Sequence, residues 1–326
     1  MKPLEIVRLE EETNPAYGKK PGERSIEEAL QLGVIVLDKP CGPTSHEVSS
    51  WVRKMLGAEK AGHSGTLDPQ VSGVLPIGVN RATRAMGFLL KSRKEYVCVM
   101  RLHKKVKPKQ LQDAFKKFTG EITQTPPVKS AVKRRARKRK VYYINPSEYI
   151  GRDVLFTVGV EAGTYIRKLC HDIGAYLGVG ANMLELRRTK VGSLDEGESI
   201  TLQDLSDAFW LWKEKGDASE LHRAITPVEA AIDLRKITLR DSAVEAICSG
   251  APLAIPGIAR YDGEIHEGEL VALMSLKGEL VALADARVNA ADIPSMKRGE
   301  AAKTRRVVME KGTYPKMWKT SKPAEE

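Results

Sequence analysis

The sequence predicts an α+β protein of two domains, a mixed layer of helices and strands followed by a small β-barrel-like module. Two observations carry this reading. Over residues 1–232, short β-branched runs alternate with segments whose apolar residues recur at helical spacing. After Ile232 a single short helix interrupts a series of brief strands and turns, which places the boundary near Ile232–Arg235. Size permits both parts, because a chain of 326 residues with 42% hydrophobic content can bury more than one core.

In chain order, residues 1–30 are rich in Pro, Gly and charge and read as an arm that docks elsewhere or as a partly disordered tail. Val34–Leu37 is a buried-strand pattern closed by the turn Pro40-Cys41-Gly42-Pro43. Thr44 and Glu47 form a capping-box pattern. Val48, Trp51, Val52, Met55 and Leu56 then share a helical face, and Gly57 stops the helix. Glu95–Leu102 reads as a strand, and Pro108–Phe118 as a helix with Leu111, Ala114, Phe115 and Phe118 inward. Val154–Val160 is β-rich, and Thr164 is placed to cap a helix carrying Ile166, Leu169, Cys170, Ile173 and Leu177 as far as Gly178. A helix near Leu202–Trp212 puts Phe209 and Trp212 in the core. In the second part, Asp241–Cys248 is a short helix closed by Gly250, and Leu270–Leu276 pairs with Glu279–Leu283 around Lys277-Gly278.

Fifty-three basic against forty-two acidic residues give a net charge of +11, which favours a polyanionic partner, nucleic acid first. Residues 231–326 hold 15 basic and 14 acidic side chains, leaving 38 and 28 to residues 1–230. The attraction to phosphate therefore sits in the first part. Its densest point is Lys129–Lys140, eight basic residues in twelve, read as a loop that clamps a phosphate backbone. Cys41, Cys98, Cys170 and Cys248 form no CxxC pair and share no ligand spacing with the six histidines, which argues against structural zinc. With no signal-peptide pattern and no apolar run near the ~20 residues a bilayer requires, a reduced, cytoplasmic protein is expected.

The segment Ala61–Gly78, AGHSGTLDPQVSGVLPIG, concentrates the candidate chemistry. Gly62, Gly65 and Gly73 allow tight turns and close approach, and Pro69 restricts Asp68, so the loop can present one carboxylate at a fixed point. An ordinary polar turn has the same composition. Arg167 falls in the first turn of a helix, where the dipole disfavours a cation, so it either has a partner such as a carboxylate or is a surface arginine reaching solvent. Tyr96 opens a strand beside Lys94 and Glu95 and suits either base stacking or an edge position.

Taken together, these segments resemble the TruB family of pseudouridine synthases. The likeness rests on GHSGTLDPQVSGVLPIG, on GVIVLDKPCGPTSHEV upstream, and on KEY, GTYIRKL and ELRRTKVG downstream, all in the family's order. PPVKSAVKRRARKRKVYY is similar to the dyskerin branch, and DSAVEAICSGAPLAIPGIA resembles a PUA module. Ala284-Asp285 departs from that module, which usually has glycine after this strand.

The resemblance implies a mixed, largely antiparallel sheet with flanking helices and a PUA domain. It divides the chain into an arm (1–30) packing on the PUA domain, a catalytic domain (31–232), the PUA domain (233–315) and a tail (316–326). It makes Asp68 the catalytic acid, Arg167 its ion-pair partner and Tyr96 the ring against the target base. His63 falls near the flipped nucleotide, Leu186 lines the pocket and Lys39 is among the substrate contacts. RNA contacts fall to Lys133, Arg134, Arg135, Arg137 and Lys138, and in the PUA module to Gly250, Ala251, Pro256 and Gly257. The reaction implied is uridine to pseudouridine in rRNA or tRNA, with no cofactor and no metal. The implied setting is a box H/ACA guide-RNA particle with two small core proteins on the catalytic domain and a kink-turn-binding protein held through RNA. A stand-alone enzyme for the T-loop of tRNA and a scaffold for H/ACA RNA are the competing readings.

Overall fold

Alternation along the strand Lys94–Leu102 sets the layering of the site-bearing unit: Cys98, Met100 and Leu102 are fully buried, while Glu95, Val97 and Val99 are half-exposed. A strand with one dry face and one open face demands a helical layer on one side only. In the computed structural model, which describes residues 4–126 and 135–317, that layer is present. The chain separates into two compact units, one of residues 35–77 and 86–224, the other of residues 1–34, 78–85 and 225–326.

A sheet lying almost wholly in the first unit has its strands side by side in the order Gly33–Lys39, Ser72–Val79, Ala181–Val191, Lys94–Leu102, Asp153–Val160, Arg137–Ile150 and Gly120–Gln124. Ser72–Val79 runs parallel to Ala181–Val191, and the pairings from Ala181–Val191 onward to Gly120–Gln124 are antiparallel. The sheet is therefore mixed and largely antiparallel, as expected. Leu111, Ala114 and Phe115 of the helix Pro108–Phe118, with Leu169, Cys170 and Ile173 of the helix Ile166–Tyr176, close the core over Phe156, Val158 and Met100.

The capping box of Thr44 and Glu47 is present, and Pro108 occupies the first turn of its helix, where its missing N–H costs nothing. Three local expectations change. Trp51 is 43% exposed, because the stripe Val48–Val52–Leu56 alone fills the contact. The helix Leu202–Lys215 buries Leu205 and Ala208, whereas Phe209 and Trp212 are half-buried and meet edge to face under Lys213. Thr164 does not cap its helix: its hydroxyl donates to the Glu161 carbonyl at 2.7 Å, and Tyr165 occupies the N-cap without a side-chain cap. Among the described residues all four cysteines are free.

The second unit is built on a sheet in the order Glu5–Val7, Ile258–Asp262, Lys236–Leu239, Leu270–Met274, Leu280–Ala286, Glu300–Val307 and Leu253–Ala254. The N-terminal arm is an integral strand of it, with Glu5 opposite Asp262 and Val7 opposite Arg260. Polar grips continue along the arm. Thr13 Oγ1 donates to the Asp241 carboxylate at 3.0 Å, and the Lys277 ammonium donates to the Pro15 carbonyl at 3.0 Å. Arg24 and Glu229 form a bidentate pair at 2.8 and 3.0 Å, both only 7% exposed. The hairpin expected around Lys277-Gly278 is present, with Met274 opposite Leu280.

Candidate active site

The loop that carries Asp68 is held by its main chain. Ser45, fully buried at the start of the helix Ser45–Met55, accepts the Leu67 N–H at 2.8 Å and donates to the Leu67 carbonyl at 3.1 Å. The Gly42 N–H donates to the Pro69 carbonyl at 2.9 Å, and the Val71 N–H closes the turn on the Asp68 carbonyl at 2.9 Å. Lys39 completes the frame: its ammonium, 0% exposed, donates to the carbonyls of Pro40, Pro69 and Val71 at 2.7, 3.2 and 3.0 Å. Lys39 was expected to touch substrate; it is instead spent on the loop, and burial lowers its affinity for a proton. Removing it would take a donor from all three carbonyls, of which Pro69 keeps the Gly42 N–H, at about 1–3 kcal/mol for each buried group left unsatisfied.

A second buried cation supports the other side. Arg188, 1% exposed, donates Nε to the Val74 carbonyl at 2.7 Å and Nη2 to the Gly65 carbonyl at 3.2 Å. Burial pulls its pKa down, and the neighbouring Tyr96 works against that loss of charge. The backbones of Gly73 and Arg188 meet where the two parallel strands touch, and a Cβ on Gly73 would lie 2.1 Å from the Arg188 carbonyl oxygen. With φ at +102°, Gly73 is required twice over.

Asp68 itself is not buried. Its side chain is 56% exposed and accepts from Arg167 Nη2 at 2.6 Å, the arginine being 60% exposed. Arg167 is the second residue of the helix Ile166–Tyr176, where the positive end of the dipole repels a cation and attracts a carboxylate. An exposed pair of this kind contributes only about 0–1 kcal/mol to stability. The rigid frame thus presents a carboxylate whose own ion pair contributes little to folding. Tyr96 is half-buried opposite Arg188, and Leu186 lies opposite Cys98 on the neighbouring strand. His63 accepts the Gly65 N–H on Nδ1 at 3.3 Å and stacks edge-on against His46, with ring centroids 4.8 Å apart. Burial first, then the neighbouring His46 and Arg188, hold its pKa below the usual imidazole value.

The comparisons with known proteins cover nearly the whole chain. Residues 53–166 match the TruB family pseudouridylate synthase N-terminal domain, and residues 167–233 the tRNA pseudouridylate synthase B C-terminal domain. Residues 235–308 match a PUA domain, and residues 4–49 a DKCLD (NUC011) domain. The probable tRNA pseudouridine synthase B of Methanosarcina barkeri is 55% identical over 307 residues, covering 94% of this chain and 91% of that protein. The chain belongs to the TruB family of pseudouridine synthases. The probable tRNA pseudouridine synthase B of Methanopyrus kandleri is 52% identical, over 98% of this synthase and 95% of that one. Among solved structures, a Cbf5–Nop10–Gar1 complex superimposes at a TM-score of 0.93 with 51% identity, over 97% of both chains. An H/ACA RNP bound to a substrate RNA containing 2′-deoxyuridine does so at 0.92 with 49% identity, over 98% of both.

In this synthase, Arg188, Ser45 and Gln124 were not singled out from sequence. Arg188 lay inside the matched ELRRTKVG stretch, but its neighbour Arg187 turns outward to Asp38 and Glu196 and offers the same chemistry. The wider RNA-binding expectations are only partly placed. Lys133 and Arg134 lie outside the described residues. Arg135 is exposed, Arg137 pairs with Gln124 at the end of the neighbouring strand, and Lys138 is bridged to Glu121 at 2.8 Å. In the second unit, Gly250 is exposed and Ala251 and Pro256 are half-exposed, while Gly257 is buried. A Cβ on Gly257 would sit 3.0 Å from both Ala243 and Leu253, so its smallness serves packing. Ala284 is fully buried, and Asp285 is paired with Arg305 at 3.2 Å.

Arg167→Ala is expected to lower single-turnover pseudouridine formation by about 10²–10³-fold, the scale of losing one preorganised charged group. RNA affinity should change little, because one exposed cation is a small part of a basic surface. Unchanged turnover in a quenched-flow assay would remove Arg167 from the site.

Proposed function

We propose that this chain is the catalytic subunit of a guide-directed H/ACA ribonucleoprotein that isomerises uridine to pseudouridine in rRNA and tRNA. The observation that carries the reading is the exposed Asp68–Arg167 pair on a loop whose main chain is pinned from three sides. The reaction breaks the N1–C1′ bond of uridine, turns the detached base and forms the C5–C1′ bond. C5 gives up its proton and N1 takes one up, so the balance needs no co-reactant. Asp68 supplies the carboxylate that starts the sequence, and Arg167 orients it. Tyr96 stands where a flipped base would stack, a contact worth about 1–3 kcal/mol against an unstacking cost of a few. The side chains of Arg188 and Lys39 bond into the loop, so the open side of Asp68 is left to substrate.

Similarity over nearly the full length to the catalytic chain of H/ACA particles supports a setting with guide RNA and two small proteins on the catalytic domain. A kink-turn-binding protein reached through RNA completes the expected particle. The PUA unit would hold the guide, with Gly250, Ala251 and Pro256 accessible for it. Among the described residues no helix is long and apolar enough to cross a membrane, and we place the particle in the cytoplasm.

The relatives named as tRNA pseudouridine synthases keep the stand-alone reading in view. The test is pseudouridine formation on tRNA and on a guide-matched RNA, each with and without guide and partner proteins. Product on the matched RNA only when guide is present is the expected result. Product confined to tRNA without guide would establish the stand-alone enzyme, and no product on either would leave a scaffold.

A further inference from the structure

Gln124 is the last residue of the strand Gly120–Gln124, opposite Arg137, and is 3% exposed. Both halves of its amide go to one residue. Oε1 accepts the Tyr165 N–H at 2.9 Å, and Nε2 donates to the Tyr165 carbonyl at 3.1 Å. Tyr165 is the N-cap of the helix Ile166–Tyr176, and two residues later stands Arg167, which reaches Asp68 at 2.6 Å.

The need for such a grip follows from what the helix lacks. Its N-cap has no side-chain cap, and the nearest hydroxyl, that of Thr164, points back to the Glu161 carbonyl. Ile166, Leu169, Cys170 and Ile173 fix the helix on the core by apolar contact, which does not supply the polar partners of its N-cap. The Asp68–Arg167 pair cannot fix that start, since an exposed ion pair is too weak to order a helix end. A reciprocal amide clamp on both polar groups of the N-cap can. We propose that Gln124 is a positioning residue for the isomerisation, holding the first turn of this helix so that Arg167 meets Asp68. The inference rests on the synthase reading through those two residues and extends it to a side chain 43 positions away from Arg167 on another element.

The experiment compares Gln124→Met and Gln124→Glu with the unaltered chain in the assembled particle. Methionine keeps the bulk and loses both bonds, whereas glutamate keeps the acceptor for the Tyr165 N–H and loses the donor. Gln124→Met is expected to slow single-turnover pseudouridine formation by between roughly tenfold and a hundredfold, the cost of displacing a positioned group by about an ångström. Gln124→Glu should fall between it and the unaltered chain. RNA affinity should hold within about twofold. In an Arg167→Ala background, Gln124→Met should add less than about twofold, because a residue acting through Arg167 has nothing left to act on. An equal loss in that background, or a loss that merely tracks the folded fraction, would overturn the proposal.

A crystal structure of Gln124→Met reads the same point without activity. Separation of Arg167 from Asp68 beyond ion-pair distance is expected, and an unmoved pair would refute the assignment. An unaltered chain that modifies no RNA would count against the synthase reading, while the crystal structure would still decide whether Gln124 holds Arg167.

Discussion

Replacing Asp68 by asparagine should abolish pseudouridine formation, with a loss on the order of 10⁴-fold or more, as for other enzymes stripped of their essential reacting group. The substitution keeps shape and removes only the charge. Stability should stay within about 0.5 kcal/mol, because the side chain is half-exposed and its ion pair contributes little to folding. Lys39, Ser45 and Arg188 hold the loop through its backbone, so its position does not depend on the carboxylate. Single-turnover kinetics with intact RNA affinity, beside an unchanged melting curve, is the result that checks this. Activity within tenfold of the parent would move the chemistry to another residue.

Arg24→Ala should have the largest effect on stability. Arg24 and Glu229 are both nearly dry, and Glu229 Oε1 also accepts the Leu280 N–H at 3.0 Å. Removing the arginine leaves a buried carboxylate with one backbone donor. Breaking such a pair costs about 3–5 kcal/mol, or roughly 10–20 °C in Tm for a unit of this size. The double change Arg24→Met with Glu229→Leu should recover more than half of that loss, since both charges then leave together. Calorimetry on the three proteins decides it. A loss below about 1 kcal/mol for Arg24→Ala would mean that the pair is solvated in solution.

How far the sequence could be read depended on whether an element is determined locally. The helix Pro108–Phe118 and the Thr44–Glu47 capping box follow from residues within a few positions of one another, and both stand where expected. The start of the helix Ile166–Tyr176 did not, because its tether is Gln124, forty-one residues away. Periodicity marked Trp51, Phe209 and Trp212 as apolar-face residues, but it cannot say how wide the covered stripe will be. Lys39 and Arg188 were the hardest to place. Their partners are main-chain carbonyls, which leave no trace in a residue pattern, so a cation given to the core looks the same as one given to RNA. The pairing of Asp68 with Arg167, ninety-nine residues apart, came from the family resemblance; spacing alone left both residues with ordinary alternatives.

Both ends of the chain enter one unit. Residues 1–34 share it with residues 225–326, and the strand Glu5–Val7 completes a sheet whose other strands all lie beyond residue 235. During synthesis the arm therefore leaves the ribosome long before its pairing partner exists. At ~5–20 residues per second, the stretch from residue 34 to residue 225 takes on the order of 10–40 s to make. The unit bearing Asp68 is finished first, at residue 224, and can fold while the arm is still waiting. The strand Glu5–Val7 and the Arg24 side chain spend that interval without their partners, and a chaperone or an early-binding subunit has that window in which to hold them.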